Sequence, residues 1–332
     1  MRVLVIGGTR FIGPRLVRRL VATGHEVAVF HRGQTTATLP ATVRSLFGDR
    51  HQLARHAGEL RCLRPDVVVD MIPHTEADAL SLVAVFRGVA GRLVAISSCD
   101  VYRAYGVFAR LEQGSPEPVP IREDSPLRRA LYLGKAMGAK PGDDLYDYEK
   151  ILVERALLGD RGLPATVLRL PMVYGPGDDQ HRLAPYLRRM LDGRRAILLN
   201  VGIARWRCLR GYVEDVAAAI ALAVTNPEAA GRVYNVAEPM AYTEGKWVAR
   251  IGAILGWNGA IVAVPDDKMP VPFNTAQDLC LDTTRIRVEL AYREAIDPDD
   301  ALRETVAWER DHLPELPLDY AQEDWLLADL KS

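Results

Sequence analysis

The first 170 residues alternate short apolar runs with amphipathic stretches, and this alternation constrains the fold more than any other feature of the chain. The apolar runs predict strands at 2–6, 26–30, 43–47, 66–71, 92–97 and 165–169. The stretches between them predict helices at about 11–23, 51–62, 75–89 and 144–158. Strands that are apolar throughout have to be covered on both faces, so we expect a parallel sheet between two layers of helices.

Right-handed crossovers between such strands give an α/β fold with a doubly wound, Rossmann-like parallel sheet. After residue 170 the pattern loosens into a mixture of shorter elements. Candidate helices lie at 181–192, 213–225, 243–255 and 298–310, and candidate strands at 196–200, 232–236 and 261–264. We therefore assign residues 1–170 to the sheet domain and 171–332 to a smaller C-terminal α/β lobe that is interleaved with it.

The composition does not favour a nucleic-acid-binding, membrane or metal protein. The formal net charge is −1, so no nucleic acid is expected as a partner. The longest apolar run, 216–224, is too short to span a bilayer. A strand beginning at residue 2 leaves no room for a signal peptide, and the four scattered cysteines fit reduced thiols, so we expect a cytoplasmic protein. The seven histidines form no ligand pattern, so we expect no metal site.

A glycine-containing turn follows the first strand directly. It reads Gly7-Gly8-Thr9-Arg10-Phe11-Ile12-Gly13 and opens a helical stretch. Glycines at a strand-to-helix turn let the backbone approach a pyrophosphate, which the N–H groups and dipole of the helix N-terminus stabilise. This position in the chain indicates a dinucleotide-binding site.

The end of the second strand bears on which nicotinamide cofactor is bound. NAD enzymes place an Asp or Glu there to hold the ribose 2′-hydroxyl, whereas this chain has His31-Arg32-Gly33. The guanidinium of Arg32 suits a 2′-phosphate, and Arg10 adds a second positive charge. We therefore expect NADP in preference to NAD.

Two further motifs carry hydroxyl and amino groups suited to acid–base chemistry. The fifth strand ends in Ser97-Ser98-Cys99-Asp100-Val101-Tyr102, and Tyr146 lies four residues before Lys150. On a helix this spacing places both side chains on one face. A free phenol has a pKa of about 10, and a nearby ammonium brings it towards working pH.

With these motifs, the chain resembles the extended short-chain dehydrogenase/reductases of the NAD-dependent epimerase/dehydratase family. The segment 168–178 (LRLPMVYGPGD), the segment 212–217 (YVEDVA) and the segment 233–236 (VYNV) extend the resemblance over most of the chain. The resemblance implies Ser98, Tyr146 and Lys150 as the catalytic set. Together with the motifs it predicts these cofactor contacts: Gly7, Gly8, Thr9, Arg10, Phe11, Ile12, Gly13, His31, Arg32, Asp49, Arg50, Met71, Ile72, Tyr146, Lys150, Pro171 and Val173. It predicts these substrate contacts: Ser98, Cys99, Asp100, Met172, Arg205, Arg207 and Arg210.

Several positions depart from the family pattern. Arg10 stands where the middle glycine of the loop is usual, and Met172 stands where nucleotide-sugar enzymes have a substrate-binding asparagine. Cys99 replaces one carboxylate of the Asp-Glu pair of dehydratases, which disfavours a dehydratase. The segment 70–74 (DMIPH) also differs from the family's usual HLAA.

Two functions remain open at this point. The first is an NAD(P)-dependent oxidoreductase or epimerase that acts on a sugar, sugar acid or nucleotide sugar. The second is a non-catalytic nucleotide-binding scaffold or RNA-binding protein, because the loop GGTRFIG also occurs in the chloroplast stem-loop RNA-binding proteins of the family. The resemblance further implies a homodimer through the helices at 75–89 and 144–158, and we expect residues 127–143 to form a mobile lid.

Overall fold

A computed structural model describes residues 1–35, 37–315 and 318–330 of the chain. The strands in chain order are β1 (Arg2–Ile6), β2 (Glu26–His31), β3 (Arg44–Phe47), β4 (Val67–Asp70), β5 (Arg92–Ser98), β6 (Ala165–Leu170), β7 (Met172–Tyr174), β8 (Ala196–Asn200), β9 (Arg207–Cys208), β10 (Arg210–Tyr212), β11 (Val233–Asn235), β12 (Tyr242–Thr243) and β13 (Ala260–Val264). The helices are α1 (Ile12–Ala22), α2 (Ala57–Cys62), α3 (Glu76–Phe86), α4 (Arg103–Phe108), α5 (Leu133–Ala136), α6 (Lys150–Leu158), α7 (Ala184–Leu191), α8 (Val201–Arg205), α9 (Val213–Thr225), α10 (Glu244–Leu255), α11 (Thr284–Glu289), α12 (Pro298–Asp311) and α13 (Ala321–Asp329). Short 3₁₀ helices cover Arg50–His56, Cys99–Val101 and Pro227–Ala229.

Seven of these strands form one parallel sheet in the order β11-β6-β5-β4-β1-β2-β3. Successive residues of β1 point to opposite faces: Val3 and Val5 belong to the core on one side, Leu4 and Ile6 to the core on the other. The first core is closed by α1 and α9, and the second by α3 and α6. The predicted doubly wound, Rossmann-like fold is confirmed, since strands buried on both faces require two helical layers.

Two elements beyond residue 170 complete this sheet domain. Strand β11 pairs with β6 at the edge of the sheet, and α9 packs against α1. The other late strands form three separate pairs, β10 with β7, β12 with β9 and β13 with β8.

The strand order of the seven-stranded sheet reverses between β1 and β4. Parallel sheets bind ligands at the carboxyl ends of their strands at such a point.

The helix predicted at 144–158 begins at Lys150, so its predicted start was wrong. Glu149 has an extended backbone and caps the helix, because its side chain accepts a hydrogen bond from the amide of Ile151 at 2.9 Å. Arg128 forms an ion pair with the Glu149 carboxylate at 3.2 Å, with both side chains almost fully buried. Residues 144–148 form turns instead, so Tyr146 and Lys150 do not share a helical face.

Residues 103–143 are more ordered than their prolines and glycines indicate. Helix α4 begins directly after Tyr102, and Arg128 donates hydrogen bonds to the carbonyls of Asp100 and Ala130. The predicted lid at 127–143 is thus held at its start by a buried arginine.

The dimer helices predicted at 75–89 and 144–158 pack against each other as α3 and α6. Three apolar residues of these helices, Val83, Phe86 and Ile151, are buried in the core of the chain and are not available for a dimer surface. Leu80 and Leu158 remain exposed, so the homodimer stays a prediction that depends on fewer apolar residues. In the described part of the chain, no helix has both the length and the apolar character that a bilayer crossing requires.

Candidate functional site

The glycine loop has the geometry of a pyrophosphate cradle. Gly7 has a φ of 81°, and a Cβ at this position would lie 2.8 Å from Ile72. A Cβ on Gly13 would lie 2.5 Å from the carbonyl carbon of Gly8, a contact with backbone that no side-chain movement relieves. Helix α1 begins at Ile12, at the end of this turn, and the free amides of a helix N-terminus favour a bound anion. The residues present therefore fit a dinucleotide.

Arg10, which replaces the usual middle glycine, does not close this cradle. Its side chain is exposed, and its Nε donates to the hydroxyl of Thr35 at 3.2 Å. The backbone turn is preserved by a hydrogen bond from the Gly13 amide to the Arg10 carbonyl at 2.8 Å. The substitution thus places a cation at the cavity rim and leaves the loop open.

A cavity beside the loop collects many of the predicted cofactor contacts. Its lining includes Gly7, Thr9, Arg10, His31, Arg32, Asp49, Arg50 and Ile72. Arg32 is exposed there at the end of β2, and the Asp49 carboxylate accepts from the amide of His51 at 2.9 Å. The buried guanidinium of Arg50 is bound to Asp70 at 2.5 Å and lies 3.7 Å from Asp78, which gives Asp70 in the unusual segment 70–74 a structural role.

Lys150 is the first residue of α6 and is buried between β5 and the loop that follows β4. Its Nζ donates to the carbonyls of Pro73 at 2.8 Å and Ile96 at 2.9 Å. Burial lowers the pKa of Lys150 to about 8, and the carboxylates of Asp100 and Asp70 limit that fall. The pKa of the Lys150 ammonium therefore lies just above neutral pH.

The tyrosine beside Ser98 and Lys150 is Tyr148 and not Tyr146. The Tyr148 hydroxyl donates to Asp100 at 2.8 Å, and its ring centroid lies 5.6 Å from Lys150 Nζ. Burial and the Asp100 carboxylate raise the pKa of Tyr148 well above its usual value, while a hydrogen bond with Ser98 opposes the rise. Tyr146 lies in the preceding turn, where the ammonium of Lys135 sits 4.5 Å from its ring centroid.

Asp100 completes this group of polar side chains. Burial raises the pKa of its carboxyl, and the contacts with Tyr148, Arg128 and Ser98 oppose that rise. Ser98 holds the short turn that carries Asp100, because its hydroxyl accepts from the Asp100 amide at 3.2 Å. The neighbouring Ser97 donates instead to Glu154 at 2.5 Å inside the sheet domain. Only the second serine of the pair thus faces the site.

A second, larger cavity adjoins the cavity beside the glycine loop through a pair of contacting rings. From the predicted contacts in their linings, the cavity beside the loop is called the cofactor cavity and the larger one the substrate cavity. His74 lines the cofactor cavity, Tyr148 lines the substrate cavity, and their ring centroids are 5.8 Å apart in an edge-to-face arrangement. Burial, followed by the charge of Lys150, lowers the pKa of His74 to about 4, so the imidazole is neutral at physiological pH.

The substrate cavity has a volume of about 640 Å³, within the range of about 300–1,000 Å³ that is usual for small-molecule sites. Of the predicted substrate residues, these line it: Ser98, Cys99, Asp100, Met172 and Arg210. Pro171, predicted as a cofactor contact, also lines it. The structure does not place Arg205 or Arg207 there: Arg205 is exposed at the end of α8, and Arg207 pairs with Asp278 at 2.7 Å on the surface.

The remaining predicted cofactor residues lie elsewhere around the loop. Phe11 and Ile12 begin α1, and Met71 packs against the core with them. Val173 is buried in the same core. Tyr148 was not predicted for the site because its spacing from Lys150 does not fit a helix. Other residues of the cavity lining were not predicted because they are far apart along the chain: Phe108, Trp206, Phe273 and Glu244.

Comparison with known proteins agrees with this geometry. The sequence profile of the NAD dependent epimerase/dehydratase family matches residues 3–237. The chain belongs to this family. It is 31% identical over 244 residues to a 2′-dehydrokanamycin reductase from Streptomyces kanamyceticus, covering 71% of this chain and 62% of that protein.

A second relative comes from the branch with the unusual loop. The chain is 25% identical over 248 residues to the chloroplast stem-loop binding protein of 41 kDa b from Arabidopsis thaliana, covering 71% of this chain and 58% of that protein. Both alignments thus span less than two thirds of the relative. Among solved structures, the UDP-glucose 4-epimerase of Thermotoga maritima, crystallised with UDP-glucose, superposes with a TM-score of 0.72 at 20% identity over 95% of this chain and all of that one. At this identity the likeness concerns the fold.

Proposed function

We propose that this protein is a nicotinamide-dependent oxidoreductase or epimerase that acts at a secondary alcohol or ketone carbon of a small, sugar-like molecule. The observation that carries the proposal is that Ser98 and Tyr148 line the substrate cavity together, with Lys150 Nζ buried behind them at 5.6 Å from the Tyr148 ring centroid. Family membership adds the expectation of an NAD-type cofactor, and the open glycine loop fits one.

In this proposal Tyr148 exchanges a proton with the substrate oxygen. Its raised pKa keeps it a phenol, which suits it to donate a proton to a ketone oxygen as the alcohol forms. In the direction of alcohol oxidation, the phenol takes up the alcohol proton as it passes its own proton along the hydrogen bond to the Asp100 carboxylate, which releases it to solvent. In the direction of reduction the relay runs backward, and a proton from solvent reaches Tyr148 through Asp100. Ser98 fixes the substrate oxygen beside the phenol. When bound, the nicotinamide cofactor supplies or accepts the hydride.

Lys150 has a second role on the cofactor side. Among the described residues its ammonium has two hydrogen-bond acceptors, Pro73 and Ile96, so one N–H is left for a ligand. In the proposal this N–H holds a ribose hydroxyl, and the positive charge stabilises a phenolate formed during turnover.

The test compares two tyrosines that are two residues apart. Purified protein is screened with both reduced and both oxidised cofactors against keto sugars, glycosides and cyclic ketones, following nicotinamide absorbance. Because an epimerase regenerates its cofactor, product stereochemistry is followed by NMR. For any substrate found, Tyr148→Phe lowers kcat by about 10²–10⁴-fold, while Tyr146→Phe stays near wild type. A Tyr148→Phe variant with full activity would refute the assignment.

A further inference from the structure

The two arginines that line the substrate cavity, Arg182 and Arg210, already form ion pairs within the protein. Arg210 is buried and bound to Glu244, and its guanidinium carbon lies 4.4 Å from the ring centroid of Trp247. Tyr186 donates a further hydrogen bond to Glu244 at 2.8 Å. Arg182 is held by Asp178 at 2.5 Å. Of the described residues that line this cavity, no arginine is without its carboxylate.

The fourth charged group in the lining, Asp100, is acidic. A nucleoside diphosphate brings two negative charges, and burying them requires unpaired cations or a rearrangement of the pairs already present. Breaking a buried pair leaves an uncompensated carboxylate behind, which makes such a rearrangement costly. The cavity therefore selects against a diphosphate.

Another part of the cavity lining, the aromatic wall, is formed by Phe108, Trp206 and Phe273. The ring of Phe108 stacks against Trp206 at a centroid distance of 4.7 Å and against Phe273 at 4.8 Å, with interplanar angles of 16° and 3°. The indole N–H of Trp206 is bound to the carbonyl of Gln277 at 2.8 Å, so the ring presents only apolar surface. Met172, where an asparagine was expected, continues this apolar lining. Because the three rings are stacked on one another, the surface they offer the cavity is apolar, and a ring of the ligand can pack against it.

We propose that this cavity takes an uncharged, ring-containing alcohol or ketone, such as a glycoside with an apolar aglycone, and excludes sugars joined to a nucleoside diphosphate. The inference rests on the proposed function only in placing the reacting oxygen at Ser98 and Tyr148. The ring would lie against the aromatic wall formed by Phe108, Trp206 and Phe273. The ion pair of Arg210 with Glu244 is the element that rejects a diphosphate.

The experiment measures binding rather than turnover. Isothermal titration calorimetry on the full chain, with and without oxidised cofactor, compares phenyl glucoside, phenyl galactoside, phenyl mannoside and phenyl xyloside with UDP-glucose. We expect at least one phenyl glycoside to bind about tenfold or more tightly than UDP-glucose, which corresponds to about 1.4 kcal/mol. UDP-glucose binding as tightly as the best glycoside, or no glycoside binding at all, would overturn the inference.

Two variants test the stated causes. Phe273→Leu should weaken glycoside binding, whereas Trp325→Leu, at an exposed aromatic residue of α13 outside the cavity, should not. In Glu244→Gln the amide oxygen still accepts from Arg210 while the amide N–H donates to the Tyr186 hydroxyl, and the negative charge is removed, so the variant should improve UDP-glucose binding about tenfold. Unchanged UDP-glucose binding in a folded Glu244→Gln variant would contradict the role of the pair. Glycoside binding without any hydride transfer would refute the proposed function and leave this inference intact.

Discussion

The buried ion pair between Arg128 and Glu149 should be a strong determinant of stability and of the position of Tyr148. The side chains are 0% and 1% exposed, and Arg128 also donates to two backbone carbonyls. Arg128→Met fills similar space but leaves the Glu149 carboxylate buried without its cation. Removing one partner of a buried pair costs about 3–5 kcal/mol.

This loss converts into a measurable shift in melting temperature. Unfolding entropy near 60 °C is about 2.1 cal/mol/K per residue, which for 332 residues gives roughly 0.7 kcal/mol/K. Arg128→Met should therefore lower Tm by about 4–7 °C in differential scanning calorimetry. The matched control is Arg303→Met, whose pair with Asp300 is more than half exposed and should contribute about 0–1 kcal/mol.

A double variant identifies the cause. If the unpaired carboxylate is the reason for the loss, Arg128→Met combined with Glu149→Gln should be more stable than Arg128→Met alone, because the amide oxygen still accepts from the Ile151 amide and no isolated charge is then buried. A shift below about 1.5 °C in the single variant, or a double variant that melts lower still, would refute this reasoning.

Four further results are expected. The reaction rate should fall above about pH 8, where Lys150 loses its proton, and in Lys150→Arg the fall should move to higher pH. With its folded pKa lowered from 10.5, Lys150 should also make the chain more stable as pH rises from about 8 to 10.5, because the unfolded chain then binds more protons. Fluorescence titration should show tighter binding of NADPH than of NADH, a difference that Arg32→Ala removes, and equal preference in the unaltered chain would oppose this role. Limited proteolysis should cut at the exposed residues 138–144 and not at Arg128, and substrate should slow the cut; a first cut beside Arg128 would argue against the anchored start of the lid.

Local signals in the sequence were sufficient for the sheet domain. The apolar run at 2–6 matches β1, and the amphipathic period matches α9 at 213–225, because a strand or helix that must bury a given face carries that requirement in its own residues. The glycine loop was predictable for the same reason, since the backbone conformation of Gly7 and the contact of Gly13 with Gly8 belong to one short segment.

Contacts between distant segments decided the rest of the site. The spacing of Tyr146 and Lys150 implied a shared helical face, but the pairing of Glu149 with Arg128, which is 21 residues away, starts the helix at Lys150 and brings Tyr148 to Asp100. In the same way, Glu244 neutralises Arg210 across 34 residues, and Phe108 meets Trp206 and Phe273 only in the folded chain. A local period reports which face of an element is buried, whereas the partner of a buried charge is fixed only by the tertiary packing that removes both charges from water.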